Sequence, residues 1–246
     1  MANFWTDVTQ VAKQKKLFQT FGKPQPRAVV VLASGGLDSS ILLAEEAEKG
    51  RKVYPVFVRA GLGFEEAQYR ALIRFIRRLG KKNILPVTCL QLPVSPFFPK
   101  KHWALSGENI PPLGSPDGSC YLPGWNLLLL APTLVFAAQR GISLIRLGHV
   151  AHNPYPDGQP AFFRALEEVG KEALLRKIRI ERPYEKLSKG QVLRRGRKFP
   201  LGLSLTCIHP QNGQHCGRCH KCAERHRAFL AEKIPDPTIY RKPMAL

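Results

Sequence analysis

Small residues with hydroxyl and carboxylate neighbours follow the first strongly apolar run of the chain. Residues 34–40 read Ser-Gly-Gly-Leu-Asp-Ser-Ser and come directly after Ala-Val-Val-Val-Leu-Ala at 28–33. Two glycines let the backbone approach the oxygens of an anion, and free N–H groups at the start of the next helix point at its charge. Ser39 and Ser40 add hydroxyl donors, and Asp38 is placed to hold Mg²⁺ or a bound water beside phosphates. The spacing predicts a phosphate-binding loop; a plain glycine turn is the alternative.

A second group of chemically active residues lies near the C-terminus. It contains four closely spaced thiols: Cys207, Cys216, Cys219 and Cys222. Four sulfur ligands that converge on a tetrahedron suit Zn²⁺, and a closed tetrahedron has no position for substrate, so we predict a structural zinc site. An iron–sulfur cluster and a redox-active Cys-x-x-Cys pair are alternatives. A histidine could also replace one cysteine, the candidates being His209, His215 and His220.

Composition limits the class of protein. The chain has 246 residues, of which 44% are apolar and 23% are charged, as in ordinary globular proteins. No run approaches the ~18 apolar residues of a membrane span, and lysines interrupt the N-terminus where a signal peptide would be apolar, so we expect a cytoplasmic protein without membrane contact. The net charge of +20 attracts phosphates, nucleotides or tRNA, although a merely solvated basic surface explains it equally well.

Apolar periodicity predicts an α/β fold. Predicted strands at 28–33, 52–58, 84–90 and 144–147 alternate with predicted helices at 64–79, 127–138 and 160–177. Such alternation is typical of a mostly parallel, doubly wound sheet with helices on both faces. The helix at 127–138 is apolar all round, and we therefore expect it to be buried.

Two further motifs connect the phosphate loop to the cysteines. Tyr-Leu-Pro-Gly-Trp-Asn occupies 121–126, and Tyr-Pro-Asp occupies 155–157. Ser-Gly-Gly-x-Asp-Ser resembles the pyrophosphate loop of the PP-loop ATP pyrophosphatase superfamily, which cleaves ATP to AMP and pyrophosphate. With Tyr-x-Pro-Gly-x-Asn, Tyr-Pro-Asp and Cys-Gly-x-Cys-x-x-Cys, most of residues 28–236 resemble the 7-cyano-7-deazaguanine synthase family, the ligase of the queuosine pathway. The resemblance implies an adenine nucleotide alpha hydrolase-like, Rossmann-like fold with a small four-cysteine zinc subdomain.

The resemblance also implies a reaction and its site. In that family the carboxylate of 7-carboxy-7-deazaguanine attacks the α-phosphorus of ATP, ammonia turns the acyl-adenylate into an amide, and a second ATP leads to the nitrile. The implied cofactors are ATP, Mg²⁺ and Zn²⁺. ATP binding is assigned to Ser34, Gly35, Gly36, Asp38, Ser39 and Ser40, with Asp38 and Ser39 also assigned to catalysis. The deazapurine is assigned to Tyr121, Asn126 and Asp157; for these a packed aromatic, a helix cap and a turn former are the structural alternatives.

Three departures from the family pattern bear on the substrate. Trp125 stands where the pattern has arginine, residues 59–64 replace the usual Gly-Gln-Arg-His, and Gly158-Gln159 replaces Cys-Arg. A reaction that stops at the amide, or that couples a related carboxylate to another amine, is therefore an alternative, as is a tRNA or protein amine acceptor. A tRNA-modifying adenylase or sulfur transferase, and a non-catalytic zinc-containing nucleic-acid-binding module, are competing functions.

Three regions are expected along the chain. A basic N-terminal extension spans 1–26, a PP-loop ATP-binding α/β domain spans 27–206, and the zinc turn with a C-terminal helix spans 207–246. Within the second region, 92–123 contains seven prolines and little periodicity, which predicts a long loop packed over the domain as a lid. A homodimer is a further expectation.

Overall fold

A central parallel sheet organises the molecule. The computed structural model describes residues 22–151 and 153–244. Its strands are β1 (Ala28–Leu32), β2 (Lys52–Arg59), β3 (Thr88–Gln91), β4 (Leu144–Leu147) and β5 (Arg179–Glu181). Their order is β3-β2-β1-β4-β5, and every neighbouring pair is parallel. The extension expected at 1–26 lies outside the described residues as far as residue 21.

Helices cover both faces of this sheet. They are α1 (Leu37–Glu48), α2 (Glu65–Leu79), α3 (Trp103–Ser106), α4 (Trp125–Gln139), α5 (Pro160–Leu174), α6 (Lys189–Gly196) and α7 (His220–Ala231). Val29 and Val31 of β1 point into a core shared with α1, α2, α6 and α7, whereas Val30 points into a core shared with α4 and α5. Because alternate side chains of a strand point to opposite faces, β1 is buried on both sides, and the predicted doubly wound α/β fold is confirmed.

Several elements differ from the sequence prediction. Strand β5 was not predicted, and α5 ends at Leu174 instead of residue 177. Two further differences have a clear physical reason. The third strand begins at Thr88 instead of residue 84, and Ile84 makes only an isolated bridge with Val53. Pro86 lies between them and has no N–H to donate to a ladder, which explains the late start. The expectation that the apolar helix is buried is also wrong in part. Leu127 and Val135 of α4 are 46% and 48% exposed, because the sheet covers only the opposite side of the helix.

A third apolar cluster lies beyond the carboxyl edge of the sheet. It joins all four clustered cysteines to residues of the 92–123 segment, among them Val94, Ala104 and, partly buried, Trp103. Backbone bonds fasten this segment to the cysteine turn: Leu113 donates to Arg218 O at 2.9 Å, and His220 donates to Pro111 O at 2.9 Å. Within residues 22–151 and 153–244, no helix has both the length and the apolar composition needed to cross a membrane.

Candidate active site

The site lies where the strand order reverses. Chain connections from β1 and β4 leave the sheet in opposite directions, which opens a crevice at the carboxyl ends of these two strands. The phosphate loop follows β1, and Gly148 follows β4. A Cβ on Gly148 would lie 2.8 Å from Asp38 C and 2.9 Å from Ser39 N. Only a glycine allows β4 to approach the start of α1 this closely.

Backbone geometry shapes the phosphate loop. Gly35 has φ +77°, and a Cβ there would lie 2.2 Å from Gln68 O. Its carbonyl accepts a bond of 2.8 Å from Leu205 N, so the chain entering the cysteine turn helps to hold the loop. Gly36 is the N-cap of α1 but provides no side-chain cap. The first N–H groups of this helix have no helical acceptor and are directed at the crevice, as anion binding requires.

Hydroxyl and carboxylate groups surround those N–H groups. Ser34 Oγ and Ser39 Oγ lie 3.0 Å apart, and Ser39 Oγ also accepts from Ser34 N at 3.1 Å. In the described part of the chain, Asp38 Oδ1 and Ser40 Oγ are buried without a hydrogen-bond partner. Buried polar atoms are normally paired, so these two oxygens are suited to a ligand that the loop has yet to bind.

A lysine that sequence analysis did not single out completes this end of the site. Lys189 Nζ lies 3.3 Å from Asp38 Oδ2 and also pairs with Glu224. Burial opposes the charge of Lys189, but the carboxylates of Asp38 and Glu224 outweigh it and raise its pKa. Lys189 begins α6, whose capping box of Ser188 and Gln191 fixes the helix start. No local pattern marks it, because its partners come from distant parts of the sequence.

A cleft of about 300 Å³ runs from the phosphate loop to the other predicted ligands. Ser34 marks one end and is the one residue assigned to ATP among the described residues that line the cleft; Tyr121, Asn126 and Asp157, all assigned to the deazapurine, mark the other. We call these the phosphate end and the base end. Between them the walls are mainly apolar and aromatic, formed by Leu32, Val56, Val58, Leu62, Phe64, Trp103 and Leu129. Such walls suit a flat heterocycle, with orientation set by the few polar groups.

The base end is assembled from two loops and the start of a helix. Tyr121 stacks on Tyr155 with ring centroids 4.5 Å apart and planes 17° from parallel. Asp157 is buried, and its Oδ2 accepts from Asn126 N at 2.7 Å, while Asn126 Nδ2 donates to Asp157 O at 2.9 Å. Asp157 thereby caps the N-terminus of α4 and still presents a carboxylate to the cleft. Its structural and ligand-binding interpretations are therefore compatible.

Other side chains of the base end differ in what they can contribute. Trp125 lines the cleft with a neutral indole, and Lys221 lines it with an ammonium group. Burial raises the pKa of Tyr155 to about 12 and that of Cys120 to about 11. Cys120 is therefore a thiol at neutral pH, which does not favour it as a nucleophile. Tyr155 and Lys221 were not predicted as ligands, because their relevance depends on which loops meet.

The four predicted metal ligands converge. Their Sγ atoms all lie within 4.8 Å of one another, and all four residues are buried. Individual separations are 3.8 Å for Cys207 to Cys219, 3.9 Å for Cys216 to Cys222 and 3.5 Å for Cys219 to Cys222. Backbone N–H groups of His209 and Cys216 each donate to Cys207 Sγ at 3.3 Å, which stabilises a thiolate. Such a set of sulfurs is suited to binding a metal.

No histidine belongs to this set of ligands in the described residues. His215 Nε2 lies near the backbone N of Thr206, at 3.2 Å, and His220 Nε2 lies 3.2 Å from Asp117 Oδ1. His209 contacts the cluster through its backbone N–H. The alternative in which a histidine replaces a cysteine is therefore not supported by the geometry.

Comparison with known proteins places these observations in a family. The family model described as queuosine biosynthesis protein QueC matches residues 27–233. The 7-cyano-7-deazaguanine synthase of Anaeromyxobacter dehalogenans (strain 2CP-C) is 30% identical over 229 residues, which cover 89% of this chain and 97% of that protein. The synthase of Anaeromyxobacter sp. (strain Fw109-5) is 31% identical with the same coverage. A solved structure described as a "predicted subunit of tRNA methyltransferase" from Methanocaldococcus jannaschii has a TM-score of 0.46 at 14% identity, covering 70% of this chain and 75% of that one.

Proposed function

Because this chain belongs to the queuosine biosynthesis protein QueC family, we propose that it is an ATP-dependent ligase that converts 7-carboxy-7-deazaguanine to the nitrile. One observation carries the proposal: the same cleft is lined by Ser34 of the phosphate loop and by Tyr121, Asn126 and Asp157. A nucleotide phosphate and a purine-like acid held in that cleft would meet at the carboxyl ends of β1 and β4. Holding two reactants in line removes much of the entropic cost of their encounter.

The reaction requires two activations. The substrate carboxylate displaces pyrophosphate from the α-phosphorus of ATP, and ammonia then displaces AMP to give the amide. A second ATP adenylylates the amide oxygen, and loss of AMP and a proton leaves the nitrile. In each activation the protein must stabilise the negative charge that develops on the departing pyrophosphate.

The phosphate end has the groups for that task. N–H groups at the start of α1 and the hydroxyls of Ser34, Ser39 and Ser40 donate to phosphate oxygens. Asp38 would hold Mg²⁺, since its Oδ1 is buried and unpaired and carboxylates are preferred ligands of this ion. When bound, the ion neutralises charge on the phosphates. Lys189 pairs with the other carboxylate oxygen of Asp38 at 3.3 Å and so holds the side chain in position.

The base end would orient the deazapurine. The stacked rings of Tyr121 and Tyr155 provide a flat apolar surface, and stacking of aromatic rings adds to the free energy of burial. Asp157 retains a free acceptor oxygen for the N–H edge of a guanine-like ring, because Asn126 uses only Oδ2. Asn126 holds Asp157 in place.

Zn²⁺ fits the cysteine cluster. Tetrahedral coordination with Zn–S bonds of about 2.3 Å places sulfurs about 3.8 Å apart, close to the separations of 3.5 to 3.9 Å in this chain. Sulfurs that ligate different iron atoms of a cluster lie farther apart. All four positions are taken by protein, so the metal would support the fold of the 207–246 region and would not touch substrate.

Turnover of the purified, metal-loaded protein tests the proposed function. It is incubated with Mg-ATP and 7-carboxy-7-deazaguanine, with and without ammonium, while AMP release and product mass are followed. We expect ammonium-dependent AMP and a nitrile. Product that accumulates as the amide would contradict the second activation and support a shortened reaction.

Absence of AMP above background would overturn the proposal and favour the other acceptors. Those are tRNA and protein amines, of which the charge of +20 makes tRNA the first to test. The same preparation tests the expected homodimer by its mass in solution. The cytoplasmic location and the region boundaries at 26 and 206 stay predictions.

A further inference from the structure

One cation faces the cleft. Among the described residues that line it, two are acidic, Glu65 and Asp157, and Lys221 alone is basic. Glu65 Oε2 is occupied by three backbone N–H groups at 60–62, and Asp157 Oδ2 by Asn126 N. A substrate carboxylate that enters the cleft therefore meets one fixed positive charge, and that charge is on Lys221.

Lys221 is held in position by its neighbours in the chain. It lies between Cys219 and Cys222 in the first turn of α7, so a metal-binding turn fixes its backbone on both sides. Its Nζ donates to Glu224 Oε2 at 2.6 Å. Glu224 is shared with Lys189, which in turn pairs with Asp38 of the phosphate loop. A chain of ion pairs thus connects the ammonium group of Lys221 to Asp38 of the phosphate loop.

The ammonium group also has donors to spare. An ammonium carries three N–H donors, and Glu224 takes one of them. The side chain is 33% exposed, and it lines both this cleft and the adjoining groove next to Lys189 and Glu224. Two donors remain for a ligand without breaking the ion pair that orients them.

Position 125 on another wall of the cleft carries no charge. The family pattern has arginine there, whereas this chain has Trp125, whose indole lines the cleft. A positive charge that could pair with the substrate carboxylate is therefore absent at position 125 of α4 and present at Lys221 of the cysteine turn. A neutral indole can stack on a ring but cannot pair with a carboxylate.

We propose that Lys221 binds the carboxylate of the deazapurine substrate and determines that this chain accepts an acid. The assignment rests on the proposed function. This role predicts different effects on the acid and on the amide, whereas a residue that only supported the fold would affect both substrates alike. The starting acid is an anion, but the amide intermediate is neutral, so Lys221 would serve the first activation and have no partner in the second.

The test separates the two activations in one preparation. Lys221→Gln removes the charge and leaves a polar side chain one atom shorter, and Lys233→Gln makes the same change on an exposed residue beyond α7. AMP formation is measured with the acid plus ammonium and, separately, with the amide as substrate. We expect Lys221→Gln to lower kcat/KM for the acid about 10- to 100-fold, as loss of a charge-assisted hydrogen bond does, and to change that for the amide less than twofold. Lys233→Gln should change neither.

A binding measurement on the wild-type protein tests the same assignment without a variant. The wild-type protein should bind the acid at least about tenfold more tightly than the amide at low ionic strength, and less so as salt is added. Equal losses for the two substrates in a Lys221→Gln protein that retains its metal would overturn the assignment, as would equal binding of acid and amide. A wild-type protein that makes no AMP from the acid overturns the proposed function itself, and the assignment with it.

Discussion

The two ends of the cleft are built in different ways. At the phosphate end, consecutive residues provide the shape, and the main contributors are backbone N–H groups and glycines such as Gly35, where any side chain would strike Gln68 O. At the base end, side chains from separated loops provide it, with Tyr121 stacked on Tyr155 and Asp157 bonded to Asn126. In the proposed function the first end binds the phosphates that every ATP-dependent relative uses, and the second binds the part of the substrate that differs between relatives.

This difference explains where the chain departs from its family pattern. The phosphate motif matches in full, whereas Trp125 and Gly158-Gln159 depart from the pattern in or next to the base end, and residues 59–64 depart from it in the wall of the cleft. A backbone-built site tolerates few changes, because a side chain at Gly35 or at Gly148 would collide with neighbouring backbone atoms. A site built from side chains can move a charge from one wall to another, as the pair Trp125 and Lys221 indicates.

Removal of the metal should disable both ends of the cleft. The chain that enters the cysteine turn bonds to Gly35 of the phosphate loop, and Lys221 of the turn itself lines the cleft. Cys216→Ser leaves three thiols, and structural zinc sites contribute on the order of 10 kcal/mol to the folding of small domains. We expect loss of bound metal, a large drop in the thermal unfolding midpoint and no AMP formation. Cys89→Ser, in β3, is the matched control and should keep its metal. Full activity in a metal-free Cys216→Ser protein would contradict the structural role.

Gly35→Ala should disable the phosphate end alone. Its positive φ costs about 1 kcal/mol for alanine, and the Cβ would additionally lie 2.2 Å from a backbone oxygen. Gly50→Ala has the same positive φ with nothing within 4 Å and isolates the φ contribution. We expect AMP formation to fall about 100-fold or more in Gly35→Ala and less than twofold in Gly50→Ala, measured on folded protein. Similar losses in both would refute a specific role for the close approach at Gly35.

Asp157→Asn should weaken the base end alone. Its side-chain oxygen can still accept from Asn126 N, so α4 keeps its cap, but the charge that we propose faces the deazapurine is lost. We expect the KM for the deazapurine to rise about tenfold, in the range of one charge-assisted hydrogen bond, with the KM for ATP unchanged. Glu168→Gln on the surface of α5 serves as the charge control. An equal rise in the KM for the deazapurine and the KM for ATP would show that Asp157 stabilises the fold and does not bind the deazapurine directly.

The smallest expected effect concerns His149, which packs next to Gly158 behind the base end and makes the stability of the protein depend on pH. Burial, assisted by the charge of Arg182, lowers the pKa of His149 to about 4, and a Cβ on Gly158 would lie 3.0 Å from its ring. The unfolded chain binds a proton near pH 6.5 and the folded chain does not, so this stability is present above pH 6.5 and is lost as pH falls towards 4. Between pH 7 and pH 5, wild type should lose about 2 kcal/mol more than His149→Gln, measured by urea unfolding. Equal losses of stability in wild type and His149→Gln would refute the contribution of His149.

Local signals predicted one end of the cleft better than the other. Three features could be read from neighbouring residues: the strand before the loop, the glycines and the cysteine spacing. The late start of β3 could also have been inferred from Pro86. By contrast, Lys189 lies in an unremarkable helix start, and its importance depends on Asp38 and Glu224 reaching it from distant positions. Lys221 is hidden in the same way inside the cysteine motif, whose predicted role in metal binding accounts for its neighbours but not for the lysine.

The exposure of α4 was missed for a related reason. An all-apolar segment predicts burial only if every side has a neighbour, and the sequence does not show how wide the sheet is beneath it. Leu127 and Val135 face outward because β4, β5 and α5 cover one side of the helix. Periodicity predicts an element reliably, but the coverage of its faces is decided by the packing of the whole domain.

The bond from Leu205 N to Gly35 O has a consequence for the order in which the protein is made. Synthesis begins at the N-terminus, so the phosphate loop leaves the ribosome long before Leu205 and Lys189, which hold its carbonyl and its carboxylate. A nascent chain that lacks these two residues has the sequence of a phosphate loop without its final shape. We therefore expect an emerging or prematurely terminated chain to be unable to consume ATP, and the nucleotide site to mature among the last parts of the molecule.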